Sequence, residues 1–137
     1  MLILLVCAAL FAPVQVPVSS PVPEKLARTA AQRKIDSQLL FAIYRERGEA
    51  EKKGIPGGDL LVTFDQKRRA FVGIRAGVTR SLLDTIKALG GEVLSSSERY
   101  NDIQAYLPLD TLEKLAARTD VRAIVPGDQS TTANRIR

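Results

Sequence analysis

The chain has 137 residues, 45% of them hydrophobic and 26% charged, which is enough for one core and too little for a second large domain. Its 20 basic and 15 acidic residues leave a net charge of +5, a mild excess spread along the chain that does not by itself call for a nucleic acid. Histidine is absent and the single cysteine, Cys7, sits in the apolar N-terminus, so a Ser-His-Asp triad, a His-ligated zinc site, a His general base and a thiolate nucleophile or disulfide in the folded part are excluded; no cofactor is expected.

From Leu2 to Val18 the chain carries no charge. Leu2 to Ala12 has the length of a signal-peptide apolar region, while Pro13 and Pro17 oppose a membrane-spanning helix of about 20 residues. A signal peptide is therefore expected over residues 1–20, giving a secreted or periplasmic chain with no membrane contact once the signal is removed. No Lys or Arg precedes the apolar run and a proline follows both Ala12 and Ser20, so the cleavage point stays open. A membrane anchor or a buried N-terminal strand is the other reading.

Residues 21–33 read as a linker after the proline-rich stretch that ends at Pro23. An amphipathic helix with a charged tail is placed at 34–54. Ile35, Leu39, Leu40, Ile43 and Tyr44 share one face, Asp36 or Ser37 starts the helix, and the charged run from Arg45 to Gly54 reads as a solvated face. After Ile55-Pro-Gly-Gly, alternation at Leu60–Phe64 and again at Phe71–Arg75 predicts a hairpin. Its tip, Lys67-Arg68-Arg69, reads as a solubilising turn in preference to a phosphate contact.

The next helix opens on Thr79 and closes on Gly90-Gly91, with Leu82, Leu83, Ile86 and Leu89 on one side. Strands are predicted at Val93–Ser96 and Ile103–Leu107, joined around Glu98 to Asp102 and stopped by Pro108. A second helix, with Asp110 in its first turn and Leu109, Leu112, Leu115 and Ala116 inward, runs to about Thr119-Asp120. Val121 to Val125 alternates as a last strand, and Asp128 to Arg137 reads as a flexible tail.

Counted from Ala70, the order is strand, helix, strand, strand, helix, strand. This predicts an α+β, ferredoxin-like domain over 59–127, an antiparallel sheet of split βαβ halves with two helices on one face, preceded by an extra hairpin strand and the N-terminal helix. The other sheet face must be polar, covered by the Ile35–Tyr44 helix, or docked on a partner.

Three stretches carry a family resemblance: Leu89-Gly-Gly-Glu-Val, Tyr100-Asn-Asp-Ile-Gln-Ala-Tyr-Leu-Pro, and the run from Leu112 to Asp128. Over about residues 59 to 128 the chain resembles the inhibitor-I9-like propeptides of secreted bacterial subtilisin-like serine proteases. The resemblance implies a non-catalytic folding assistant and inhibitor whose partner is a subtilisin-like protease domain, in cis in a longer protein or in trans. It further implies that the bare sheet face packs on the protease and that Asp128, Gln129, Ser130, Thr131 and Thr132 lie in its cleft. Ile103 matches a core position, and Glu98 and Asp102 become possible caps of partner helices. No protease domain lies within these residues, so the chain is either a truncated reading frame or a stand-alone relative.

Two alternatives belong to other classes. A nucleic-acid-binding domain of this fold needs clustered aromatics, whereas Phe71, Tyr100 and Tyr106 read as scattered. An acylphosphatase-like enzyme would use Arg75 and the Gly77 loop at a helix N-terminus to hold an anion, but the glycine-rich cradle is missing.

Overall fold

The computed structural model describes residues 22–128; the expected signal peptide and the tail from Gln129 to Arg137 lie outside them. Along the chain come α1 (Ser37–Glu46), β1 (Ala70–Ala76), α2 (Arg80–Ala88), β2 (Glu92–Ser97), β3 (Asp102–Leu107), α3 (Leu112–Ala116) and β4 (Val121–Pro126). The strands form one four-stranded antiparallel sheet in the order β2-β3-β1-β4. β3 therefore separates β1 from β2, and β1 separates β3 from β4, which is the split βαβ arrangement of a ferredoxin-like α+β sandwich.

Local chemistry sets the element ends. Thr79 caps α2, its hydroxyl oxygen accepting from the Leu82 amide at 3.2 Å, and Gly90 turns the chain out at φ +84°. Pro108 leads into a 3-10 turn, Leu109–Thr111, before α3, and the Thr111 hydroxyl donates to the Pro108 carbonyl at 2.7 Å. α3 ends at Ala116, short of the predicted Thr119-Asp120 end, because the chain must reverse to enter β4 at Val121. The Lys34 ammonium holds that reversal, donating to the Arg118 and Val121 carbonyls at 2.9 Å each.

Val72 and Ile74 of β1, Ile103 and Leu107 of β3, and Ile124 of β4 share one apolar cluster with Leu82 and Ile86 of α2 and Leu112 and Leu115 of α3. Leu39, Leu40 and Ile43 of α1 belong to that same cluster. α1 thus joins the helix layer and does not cover the opposite sheet face, one of the options left open by its periodicity. It lies beside β4, where Asp36 donates its amide to the Ile124 carbonyl at 2.8 Å and Ile35 bridges Ile124 in parallel.

Two expectations need correction. The linker placed at 21–33 contains two 3-10 turns, Glu24–Ala27 and Gln32–Lys34, tied to the body. Arg28 holds Glu24 with two bonds of 2.6 and 2.8 Å, Tyr44 donates to Glu24 at 3.3 Å, and Gln32 donates to Glu113 at 2.8 Å. The folded unit therefore includes residues well before the boundary placed at residue 59. The charged run from Arg45 to Gly54 is mostly exposed, the solvated face that was expected, while Arg45 donates to the Gly58 and Pro56 carbonyls, Arg47 pairs with Glu113 at 3.2 Å, and the Lys53 ammonium lies 4.7 Å from the Tyr44 ring centre.

The extra hairpin strand at Leu60–Phe64 is the second. Only a bridge between Phe64 and Ala70 forms, with the Phe71 amide donating to the Thr63 carbonyl at 2.8 Å. β4 occupies the β1 edge from Val72 onward, so little of that edge remains for a second strand. Leu60 and Val62 pack on the core instead. No helix among the described residues is long and apolar enough to cross a membrane.

Candidate functional site

Side chains alternate along strands, so the face turned away from the helices is built from Phe71, Gly73 and Arg75 of β1 and Tyr106, Gln104 and Asp102 of β3. The register sets them opposite one another as Phe71–Tyr106, Gly73–Gln104 and Arg75–Asp102. Val125 and Ala123 flank this strip on the β4 side, and Ser95 and Ser97 on the β2 side. None of the described helices contributes its apolar side to this face, and Phe71 stands outside the helix-side cluster.

The first row is aromatic. The Phe71 and Tyr106 ring centres are 5.3 Å apart at 40°, and Phe71 is only 3% exposed. Gly127, just after β4, lies directly against the Phe71 ring: a Cβ built there would stand 2.4 Å from Cδ1. The Arg69 guanidinium sits 5.9 Å from the Tyr106 centroid, within cation–π range. It is anchored by Glu92 at 2.8 Å and by Asp65 at 2.7 Å. Bonds to Glu92 and then to Asp65 raise the Arg69 pKa, so it stays a fixed cation.

The second and third rows are polar. Gln104 lies over Gly73, its amide nitrogen 3.1 Å from where a Cβ would be, and donates to Asp102 Oδ2 at 2.9 Å. Arg75 approaches Asp102 Oδ1 at 3.2 Å, a charge contact whose angle does not make a directed hydrogen bond. Asp102 Oδ1 and Gln104 Oε1 are enclosed acceptors without a hydrogen-bond partner. With Arg75 set against Asp102, and Arg69 against Asp65 and Glu92, the face carries paired charge and no strong field of one sign.

Of the predicted site residues, Asp102 lies on this face, Glu98 is exposed in the β2–β3 turn, and Asp128 is exposed immediately after Gly127. Gln129, Ser130, Thr131 and Thr132 lie outside the described residues. Ile103 is fully buried. Phe71 and Tyr106, expected to be scattered, are neighbours, because antiparallel pairing of β1 with β3 brings the two ends together. Tyr100 stays apart in its turn, 69% exposed. With Phe71 enclosed, the pair offers no platform for stacking two bases.

Nor is the loop before α2 an open anion cradle. The Gly77 amide donates to the Asp120 carbonyl at 3.2 Å, the Leu82 amide is taken by Thr79, and Arg75 is turned to Asp102. At the 65–69 turn, Asp65 accepts from the Lys67 and Arg69 amides at 2.9 and 2.8 Å, which leaves Lys67 and Arg68 as exposed cations. A separate cleft of about 470 Å³ opens on the helix side, lined by Ala42, Arg45, Leu60, Phe64 and Arg68 among others. No group of three or more His, Cys, Asp or Glu among the described residues is placed to hold a metal.

Sequence reading missed the Arg69–Tyr106 contact and the seating of Gly127 on Phe71. The first had a usable signal in the alternating Arg69-x-Phe71 and Gln104-x-Tyr106 runs, since antiparallel alignment sets Phe71 opposite Tyr106 with Arg69 two residues along the same face. Comparison with protein families, with characterised proteins and with solved structures finds no match to this chain.

Proposed function

We propose that this chain is a non-catalytic interaction module of the subtilisin-propeptide kind. It docks the helix-free sheet face on a subtilisin-like serine protease domain, in the same polypeptide or a separate one. The segment Asp128 to Thr132 enters the cleft as an added strand, and an N-terminal signal directs export. One observation carries this reading: the helices lie on one side of the sheet, while β4 delivers the chain at Gly127 beside the uncovered side. That face presents the half-buried Tyr106, Gln104 and Asp102 and the exposed Arg75 with no helix over them, an aromatic and polar surface on which a partner can pack. An extended segment pairs with a protease cleft through main-chain hydrogen bonds, which need no particular side chain at most positions.

The test titrates the full chain against purified subtilisin with a chromogenic peptide substrate. Inhibition with a constant of about 1 μM or tighter is expected. A folded chain that neither inhibits nor forms a complex at about 10 μM overturns the proposal.

A further inference from the structure

The chain leaves β4 through a contact that tolerates no side chain. The Gly127 amide donates to the Phe71 carbonyl at 2.9 Å, and a Cβ at Gly127 would fall 2.4 to 2.6 Å from three atoms of the Phe71 ring. Real Cβ contacts are essentially never under 3.0 Å, so Ala in this position forces the ring or the chain to move. The ring has little freedom. Phe71 is 3% exposed, packs on Tyr106 at 5.3 Å, and is fixed along its backbone by the Thr63 carbonyl on its amide and by Gly127 on its carbonyl. Displacement therefore falls on the chain after Pro126. Glycine is required here by close approach, since the position does not have a left-handed φ.

Phe71 belongs to the aromatic row of the proposed docking face, so Gly127 links that face mechanically to the exit of the chain. We propose that Gly127 seated on the Phe71 ring is the positioning element that aims the residues from Asp128 onward at the protease cleft. On this account, which rests on the protease-docking reading above, face and exit act as one rigid body. Adding a side chain at Gly127 uncouples binding from inhibition.

The experiment compares the full wild-type chain with Gly127→Ala. Complex formation is measured by calorimetry on subtilisin whose nucleophilic serine is changed to alanine, and inhibition on active subtilisin with the chromogenic substrate. Gly127→Ala is expected to keep the complex within about threefold of wild type while weakening inhibition about tenfold or more. A merely destabilised domain would lose binding and inhibition in step. That pattern, or wild-type inhibition by Gly127→Ala, overturns the inference and leaves the docking reading standing. Failure of the wild-type chain to bind overturns both.

Discussion

Replacing Leu39 by Ala tests whether α1 is part of the core or an independent attachment. Leu39 is fully buried and shares its cluster with Leu112 and Ile124, so truncation leaves a hole between α1 and the sandwich. Buried Leu→Ala changes cost about 2–5 kcal/mol, a large share of the roughly 5–15 kcal/mol that holds a domain together. With a urea dependence of about 1–3 kcal/mol per molar for a small domain, the midpoint falls by about 1–2 M. Far-ultraviolet circular dichroism across a urea titration reads it. An independently tethered α1 would instead leave the main transition where it was, and a shift below about 0.3 M would refute the reasoning. By the same logic a chain beginning at Asp59, stripped of Ile35, Leu39, Leu40 and Ile43, exposes the cluster they cover and does not fold stably.

Thr79→Ala removes the α2 cap and lowers stability by about 0.5–2 kcal/mol in the same titration, whereas Thr79→Ser leaves it nearly unchanged. Gly91→Ala places a methyl 2.7 Å from Leu107 Cδ2 and 2.8 Å from the Ile86 carbonyl oxygen, and is expected to destabilise by about 1–3 kcal/mol through overpacking; an unchanged midpoint would show that the α2–β2 turn gives way freely. Acid should weaken the docking of residues 24–34. The Arg28 hydrogen bond holds the Glu24 carboxyl below its ordinary 4.5. Burial pushes Glu113 up, but bonds from Gln32 and Arg47 outweigh it and leave it below 4.5 as well. The unfolded chain then binds more protons, so this stability is fully present above about pH 4.5 and is lost as pH falls through the lowered folded values. Urea midpoints between pH 7 and pH 3 should drop more for wild type than for Glu24→Gln, and equal slopes would contradict the assignment.

The elements closed by local chemistry were legible in the sequence. Thr79, the Leu82/Ile86 spacing and Gly90 define α2 without tertiary information, and Pro108 marks the end of β3. The alternation over Phe71–Arg75 and the run Ile103–Leu107 placed the two central strands. What was not legible depends on competition in space. Leu60–Phe64 alternates like a strand, but β4 takes the edge it would need. Residues 24–34 look like a linker because their anchoring runs through long-range partners such as Tyr44, Glu113 and the Arg118 carbonyl. Gly127 looks like an ordinary chain end until the Phe71 ring is seen beneath it.

The central claim, that the helix-free sheet face meets a subtilisin-like protease, is tested most directly by calorimetry of three chains against subtilisin lacking its nucleophilic serine: wild type, Gln104→Lys and Lys87→Glu. Gln104 lies at the centre of the face, and Lys87 is exposed on α2 in the opposite layer. The account predicts a dissociation constant of about 1 μM or tighter for wild type, a loss of about tenfold or more for Gln104→Lys, and no change beyond about threefold for Lys87→Glu. Undiminished binding by a folded Gln104→Lys chain, or no complex with wild type, would contradict it.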